Sequence, residues 1–229
     1  MRILQLLLFL GLLFTGNAQI QNAEKGIIAY TDSAIKILEN GTVLFGKENI
    51  EKWYQSNPMG IGPFETVFSI AANDQFQYEI GTFSTEKGQH KHIVITDRTN
   101  NNARVFEVIA QVGDTDAAME KIISSRRDEW IALCNKNNAQ DLVRQLYAAA
   151  PIYYNHRPPV TDPDTLIQVY GYMNDPGYSL DLQPLHLERV NDNRVFEIGQ
   201  CSGSYNGKYI LIWERTSTGE WVIKIDSNI

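Results

Sequence analysis

Cysteine is nearly absent from this chain. Two residues, Cys134 and Cys201, among 229 are too few for a disulfide-stapled scaffold or a four-thiolate zinc site. Basic blocks are missing as well. Lys and Arg number 20 against 27 Asp and Glu, a formal charge of −7, which leaves a poor surface for nucleic acid or an anionic membrane. The sequence has no Gly-rich phosphate loop, Gly-x-Ser-x-Gly elbow or Cys/His catalytic signature. After residue 18 no segment is apolar enough to span a bilayer, which takes ~20 residues. What is present is 43% hydrophobic, 21% charged and 10% aromatic. That composition is too apolar for disorder and suits one large or two small domains.

The apolar stretch Ile3–Phe14 follows the single positive charge of Arg2 and precedes small residues at Gly16 and Ala18. This pattern matches a secretory signal peptide, residues 1–18, cut before Gln19. Its removal takes Arg2 with it and leaves 19 basic against 27 acidic residues, or −8. No cysteine lies near the cut for lipid attachment. The expectation is a soluble, secreted or periplasmic chain without a membrane association after cleavage.

A repeat organises the remainder. Tyr78-Glu-Ile-Gly81 matches Phe196-Glu-Ile-Gly199 at an offset of 118, and Lys91–Thr99 matches Lys208–Thr216 at 117. Val105–Val108 matches Val222–Ile225 at the same 117, Ile35 pairs with Ile152, and Ile50–Tyr54 pairs with Leu166–Tyr170. Matches in a constant order imply two tandem units, 19–111 and 112–229.

In the second unit, Asp114 or Thr115 can cap a helix with Met119, Ile122, Ile123, Trp130, Ile131 and Cys134 on one apolar stripe. A second helix is expected over Ala139–Ala150, a strand over Ile152–Asn155 and a third helix over Thr165–Tyr172. Antiparallel strands follow at Leu180–Val190, Arg194–Ser202, Lys208–Arg215 and Trp221–Asp226. The first unit repeats this order with a strand at Ala34–Leu38, a helix at Lys47–Gln55 and four more strands between Glu65 and Ala110. It has room only for a short helix around Ala23–Tyr30 in place of the long opening one. A sheet with an apolar face must be covered, so this unit must draw cover from the second unit, another chain or a ligand.

Trp130 in the first helix, Gly199 in the middle strand and Trp213 and Trp221 in the last two give the second unit a resemblance to the SnoaL-like group. That group belongs to the superfamily shared by ketosteroid isomerase and nuclear transport factor 2. The pattern is most similar to its uncharacterised bacterial branch related to calcium/calmodulin-dependent kinase association domains. The resemblance covers 114–229 well and 34–111 less well. It implies an α+β fold of two tandem cone-shaped domains, each a curved, mainly antiparallel sheet closed by helices around a pocket, and frequent dimers. It implies no activity, since such folds host enzymes, binders and assembly modules.

Strand alternation places Glu197 with Val195, Gly199 and Cys201, His186 and Glu188 with Leu182 and Pro184, and Asp226 with Val222 and Lys224. A carboxylate on an apolar face has its pKa raised, the condition for a general base or a neutral donor. Glu197, Asp226 and His186 are therefore the candidate catalytic residues; the alternative is ordinary cross-strand or surface groups with solvated partners. Between the units, Glu79 keeps the place of Glu197, whereas Phe68, Thr96 and Ile109 stand for His186, Trp213 and Asp226. The shared Glu-Ile-Gly then reads as structural, the glycine permitting a bend or bulge.

Most aromatic side chains of the second unit belong to its core, while Trp130, Tyr154, Tyr209 and Trp213 are candidates to line a ligand cavity. His90 and His92 alternate on one strand without a third ligand, so no metal is expected, and no cofactor is implied. Cys134 and Cys201 read as two buried thiols rather than a bridge. The leading expectation is an exported, non-enzymatic protein binding a small, partly apolar ligand in its second unit. An isomerase- or cyclase-like enzyme using Glu197 and Asp226 is the alternative. So is an assembly module, a homodimer through the first unit.

Overall fold

The computed structural model describes residues 28–57 and 62–229. The expected signal peptide lies outside them, as does most of the short helix expected over Ala23–Tyr30; Tyr30 itself begins a strand. The N-terminal half runs β1 (Tyr30–Ile37), β2 (Val43–Phe45), α1 (Lys47–Ser56), β3 (Glu65–Ala71), β4 (Phe76–Thr85), β5 (Gly88–Asp97) and β6 (Ala103–Gln111). The C-terminal half runs α2 (Ala118–Cys134), α3 (Ala139–Leu146), β7 (Tyr147–Tyr154), α4 (Pro163–Val169), a 3-10 turn (Tyr170–Asn174), β8 (Leu180–Asn191), β9 (Arg194–Gly203), β10 (Gly207–Arg215) and β11 (Trp221–Ser227). No helix among the described residues is long and apolar enough to cross a membrane.

The fold is α+β, with a six-stranded sheet in the order β2-β1-β6-β5-β4-β3 and a five-stranded sheet in the order β7-β11-β10-β9-β8. Apart from the extra edge strand β2, the orders correspond strand for strand. In each sheet the first long strand pairs parallel to the last, β1 with β6 and β7 with β11, and the remaining neighbours are antiparallel.

Local chemistry sets the helices. Neither Asp114 nor Thr115 caps α2 as expected: the residue ahead of it is Ala117, without a side-chain cap, and the Asp116 carboxylate accepts the Ala118 N–H at 2.8 Å. Asn138 caps α3 through the Asp141 N–H, and Asp162 caps α4 through the Thr165 N–H with Pro163 in the first turn. The second helix is shorter than expected. Tyr147 is already extended, because the chain there pairs with β11 and gains ladder bonds that a longer helix would forgo. The stripe on α2 is also revised: Met119, Ile123, Arg127, Trp130 and Cys134 face inward, while Ile122 is exposed. Cys134 and Cys201 are buried free thiols.

Two large apolar layers result, with a small third cluster of Tyr30, Ala34 and Ile50 at α1. In the C-terminal half, α2, α3 and α4 close one sheet face over Trp130, Leu142, Leu146, Leu211, Trp213 and Ile223. The opposite faces of the two sheets pack on each other, with Ile35, Tyr78, Ile93, Ile95 and Phe106 meeting Ile152, Tyr154, Phe196, Ile198, Ile210 and Ile212. The N-terminal sheet thus has one face covered by the C-terminal half. Phe68 and His186, at equivalent places in β3 and β8, stack with centroids 4.8 Å apart and planes at 10°. The Tyr78 hydroxyl donates to the Ile229 carbonyl at 3.0 Å across the same junction.

Candidate functional site

Asp226 enters the helix-covered side of the C-terminal sheet through a bulge. In the β10–β11 ladder Ile212 pairs with Ile225, but Trp213 pairs with Ile223, which leaves Lys224 extra. One additional residue inverts the side-chain parity beyond it. Asp226 therefore shares a face with Trp221 and Ile223 and not, as alternation predicts, with Val222 and Lys224; Ile225 turns to the inter-sheet layer.

The carboxyl is buried and accepts at Oδ2 from Tyr147 (2.7 Å) and Tyr170 (2.5 Å). The Tyr147 hydroxyl also accepts from the Trp130 indole N–H at 3.2 Å. Burial raises the Asp226 pKa, the two phenols pull it back, and the outcome is a value raised to about 6. Burial and the neighbouring carboxyl push both phenols well above the usual range, so they remain donors at neutral pH. No described residue donates to Oδ1.

Asp226 lines a chamber of about 40 Å³ walled by Trp130, Tyr170 and Tyr209. Tyr172, Tyr178, Tyr205 and Asn228 border it and also line an open mouth of about 420 Å³. The tyrosines stand between chamber and mouth as a rim, with Tyr172 and Tyr205 half-exposed. Among the described residues no Lys, Arg or His lines either space. A larger groove of about 600 Å³ lies between the halves, bordered by Glu39, Arg194 and Glu214. There Arg194 donates to the Glu214 carboxylate at 2.8 Å and to the Glu39 carbonyl at 3.3 Å.

Glu197 is differently placed. Arg127, the one charged residue on the buried face of α2, donates to it twice, at 2.7 and 3.0 Å. Tyr209 donates at 2.8 Å and Trp213 at 2.9 Å. Both oxygens are thus engaged by strong, partly charge-assisted bonds, and no lone pair is left for a reacting proton. The glycine beside it has a different purpose from the bend expected. Gly199 lies opposite Tyr209, and a Cβ there would collide with the Tyr209 ring, which needs that space to reach Glu197. Gly81 makes the same room for His92.

The structure brings Asp226, Trp130 and Tyr209 to the chamber, and Glu197 and Trp213 to the ion-pair network behind it. Two candidates lie elsewhere. His186 is outside the chamber, stacked on Phe68 with Nε2 at 2.9 Å from Glu188, because a bulge between Pro184 and His186 turns β8. Tyr154 lies in the inter-sheet layer, stacked on Phe106 at 5.5 Å. Tyr147, Tyr170, Tyr172, Tyr178, Tyr205 and Arg127 complete the site unforeseen. For Arg127 a signal existed: a lone cation within an apolar helical stripe.

The N-terminal half contains a counterpart. In the β5–β6 ladder Ile95 pairs with Phe106 and Thr96 with Arg104, so Glu107, not Ile109, stands in the place of Asp226. It takes bonds from Tyr30 and from Lys36, the latter at 2.7 Å, and Tyr54 lies 3.3 Å from the Tyr30 hydroxyl. Tyr30 and Tyr54 match Tyr147 and Tyr170. Burial opposes ionisation of Glu107, but Arg104 and Lys36 outweigh it and hold the carboxyl well below its usual range. Beside it His92 is buried over Gly81 and stacked on Phe64 at 4.9 Å, its pKa lowered by burial. No three potential metal ligands cluster among the described residues.

No protein-family model matches this chain, and no curated protein matches it. Solved structures do. A nuclear transport factor 2-like protein of unknown function from Shewanella oneidensis is similar to 48% of this chain over 98% of its own, with 12% identity and a TM-score of 0.42. For a ketosteroid isomerase-like protein from Erwinia carotovora atroseptica the figures are 50%, 98%, 13% and 0.42. For a hexachlorocyclohexane dehydrochlorinase from Novosphingobium barchaimii they are 49%, 86%, 16% and 0.41.

Proposed function

We propose that this is an exported, non-enzymatic protein that binds a small, partly apolar ligand in its C-terminal half. The observation that carries the reading is the chamber itself. Aromatic walls lead from an open mouth to one buried carboxyl whose Oδ1 has no described donor. Binding sites combine mainly apolar walls with a few convergent polar groups. At about 40 Å³ the closed chamber holds little more than a water molecule or two, so ligand entry requires the rim tyrosines to swing outward. Fragment binding followed by NMR of the Trp130 indole N–H tests the reading: shifts in that signal support it, and a library that moves no chamber resonance sinks it. Export is tested separately by sequencing the N-terminus of the mature chain, expected to begin at Gln19.

A second reading has one specific observation in its favour. A buried carboxyl with a pKa raised to about 6 is poised for proton transfer near neutral pH. Incubating bound fragments in D2O separates the two. A general base at Asp226 exchanges an acidic C–H of its ligand, and a binder leaves it unchanged.

A further inference from the structure

We infer, on the reading that the chamber is a binding site, that its ligand is an organic cation, an alkylated ammonium whose positive head sits among the rim tyrosines and faces Asp226. Two independent observations lead there. The first is composition. Among the described residues the chamber and mouth are lined by tyrosines and Trp130, with a few aliphatic side chains such as Leu180 and Leu211, one carboxyl, and not one cationic side chain. The titratable groups that feel the Asp226 charge are Tyr147 and Tyr153 on β7, Tyr170 and Tyr172 in the 3-10 turn, Cys201 on β9 and Tyr78 on β4. None can carry a positive charge. Aromatic faces attract cations through the ring quadrupole, most strongly where water is excluded, and a buried carboxyl without a counter-charge is costly until one arrives.

The second is the sister site. In the N-terminal half the same carboxyl-and-two-phenol arrangement is already filled by an ammonium. Lys36 Nζ lies 2.7 Å from Glu107, donates to the Tyr54 hydroxyl at 2.9 Å, and sits over the Tyr54 and Trp53 rings at 4.8 and 5.5 Å. Lys36 faces Glu107 across the parallel β1–β6 pair, as Tyr153 faces Asp226 across β7–β11. Where one half builds the cation into the chain, the other has a tyrosine, which leaves the carboxyl to a cation from outside.

The test compares choline with 3,3-dimethylbutan-1-ol, its neutral carbon isostere, by NMR titration of the full chain at pH 7.5. Choline is expected to move the Trp130 indole N–H and to bind at least about tenfold more tightly than the alcohol, with the preference abolished in Asp226→Asn. Equal affinities would overturn the cation and leave the chamber as a binding site. Binding of the alcohol alone would do the same. Binding of neither probe would count against both. The isostere comparison on the unaltered protein stands even if the variant does not fold.

Discussion

Glu107 and Asp226 hold the same register position in their two sheets, each brought to the inner face by a bulge in the last strand. Each accepts from a tyrosine at the start of the first long strand, Tyr30 or Tyr147, and each has a second tyrosine, Tyr54 or Tyr170, within the same cluster. They differ in charge compensation. Glu107 has Lys36 and Arg104, whereas Asp226 has phenols alone. One is a finished structural ion cluster, and the other is an open one.

Stability should therefore change with pH through Asp226. Its folded pKa, raised from 3.8 to about 6, exceeds the unfolded value, so the native state binds the extra proton and its contribution is fully present below about pH 4. That contribution is lost as pH rises through 6. Asp226→Asn, which cannot ionise, is expected to be more stable than the parent by up to about 3 kcal/mol at pH 7.5 and equal to it at pH 4, in urea denaturation at both pH values. A cationic ligand needs the ionised form, so its affinity should fall below pH 6.

Removing Arg127 strands Glu197. Arg127→Met is expected to destabilise the fold by about 3–5 kcal/mol, because a buried carboxyl group loses the guanidinium that pairs with it. The double variant Arg127→Met with Glu197→Gln should recover part of that loss, since the amide is uncharged and its oxygen still accepts from Tyr209 or Trp213. A double variant as unstable as the single one would show that the cost is packing rather than charge.

Gly199→Ala forces the Tyr209 ring off its seat. The expected loss is about 1–3 kcal/mol from overpacking, with the Tyr209–Glu197 bond broken as the Tyr209 ring resonances shift. Gly113→Ala, where the crowding is by the half-buried Asn191 side chain, should be felt less in the same denaturation assay.

The lysine in the sister site should be replaceable by a free amine. Lys36→Ala is expected to cost about 3 kcal/mol, at the low end for a broken buried pair because Arg104 remains beside Glu107. n-Propylammonium at tens of millimolar should restore part of the lost thermal stability, in the manner of any ligand selective for the native state. 1-Propanol should not.

Much of this architecture was legible before any coordinates. The repeat offsets 117 and 118 are the offsets at which β5 and β10, and β4 and β9, correspond, and the Ile35–Ile152 and Tyr54–Tyr170 pairings hold in space. Strand and helix order followed from periodicity and turn residues, which are local properties. The inner-face assignments failed where local periodicity is interrupted. Alternation misplaced Asp226 because a bulge is decided by how two strands register against each other. The constant offset of 117 paired it with Ile109 because the turn between the Asp97–Ala103 pair has five residues and the one between the equivalent Glu214–Val222 pair has seven.

The amino-acid sequence by itself determined the α+β class, the repeated strand order, the helix start at α4 and a short set of polar residues worth attention, since each rests on the preferences of neighbouring residues. Tertiary structure alone decided which of those residues meet. It sent Arg127 to Glu197, His186 to Phe68 and Tyr154 into the layer between the sheets, and it gathered Tyr147, Tyr170 and the rim tyrosines around Asp226. Those contacts join residues tens of positions apart, and one inserted residue in a ladder is enough to redirect them.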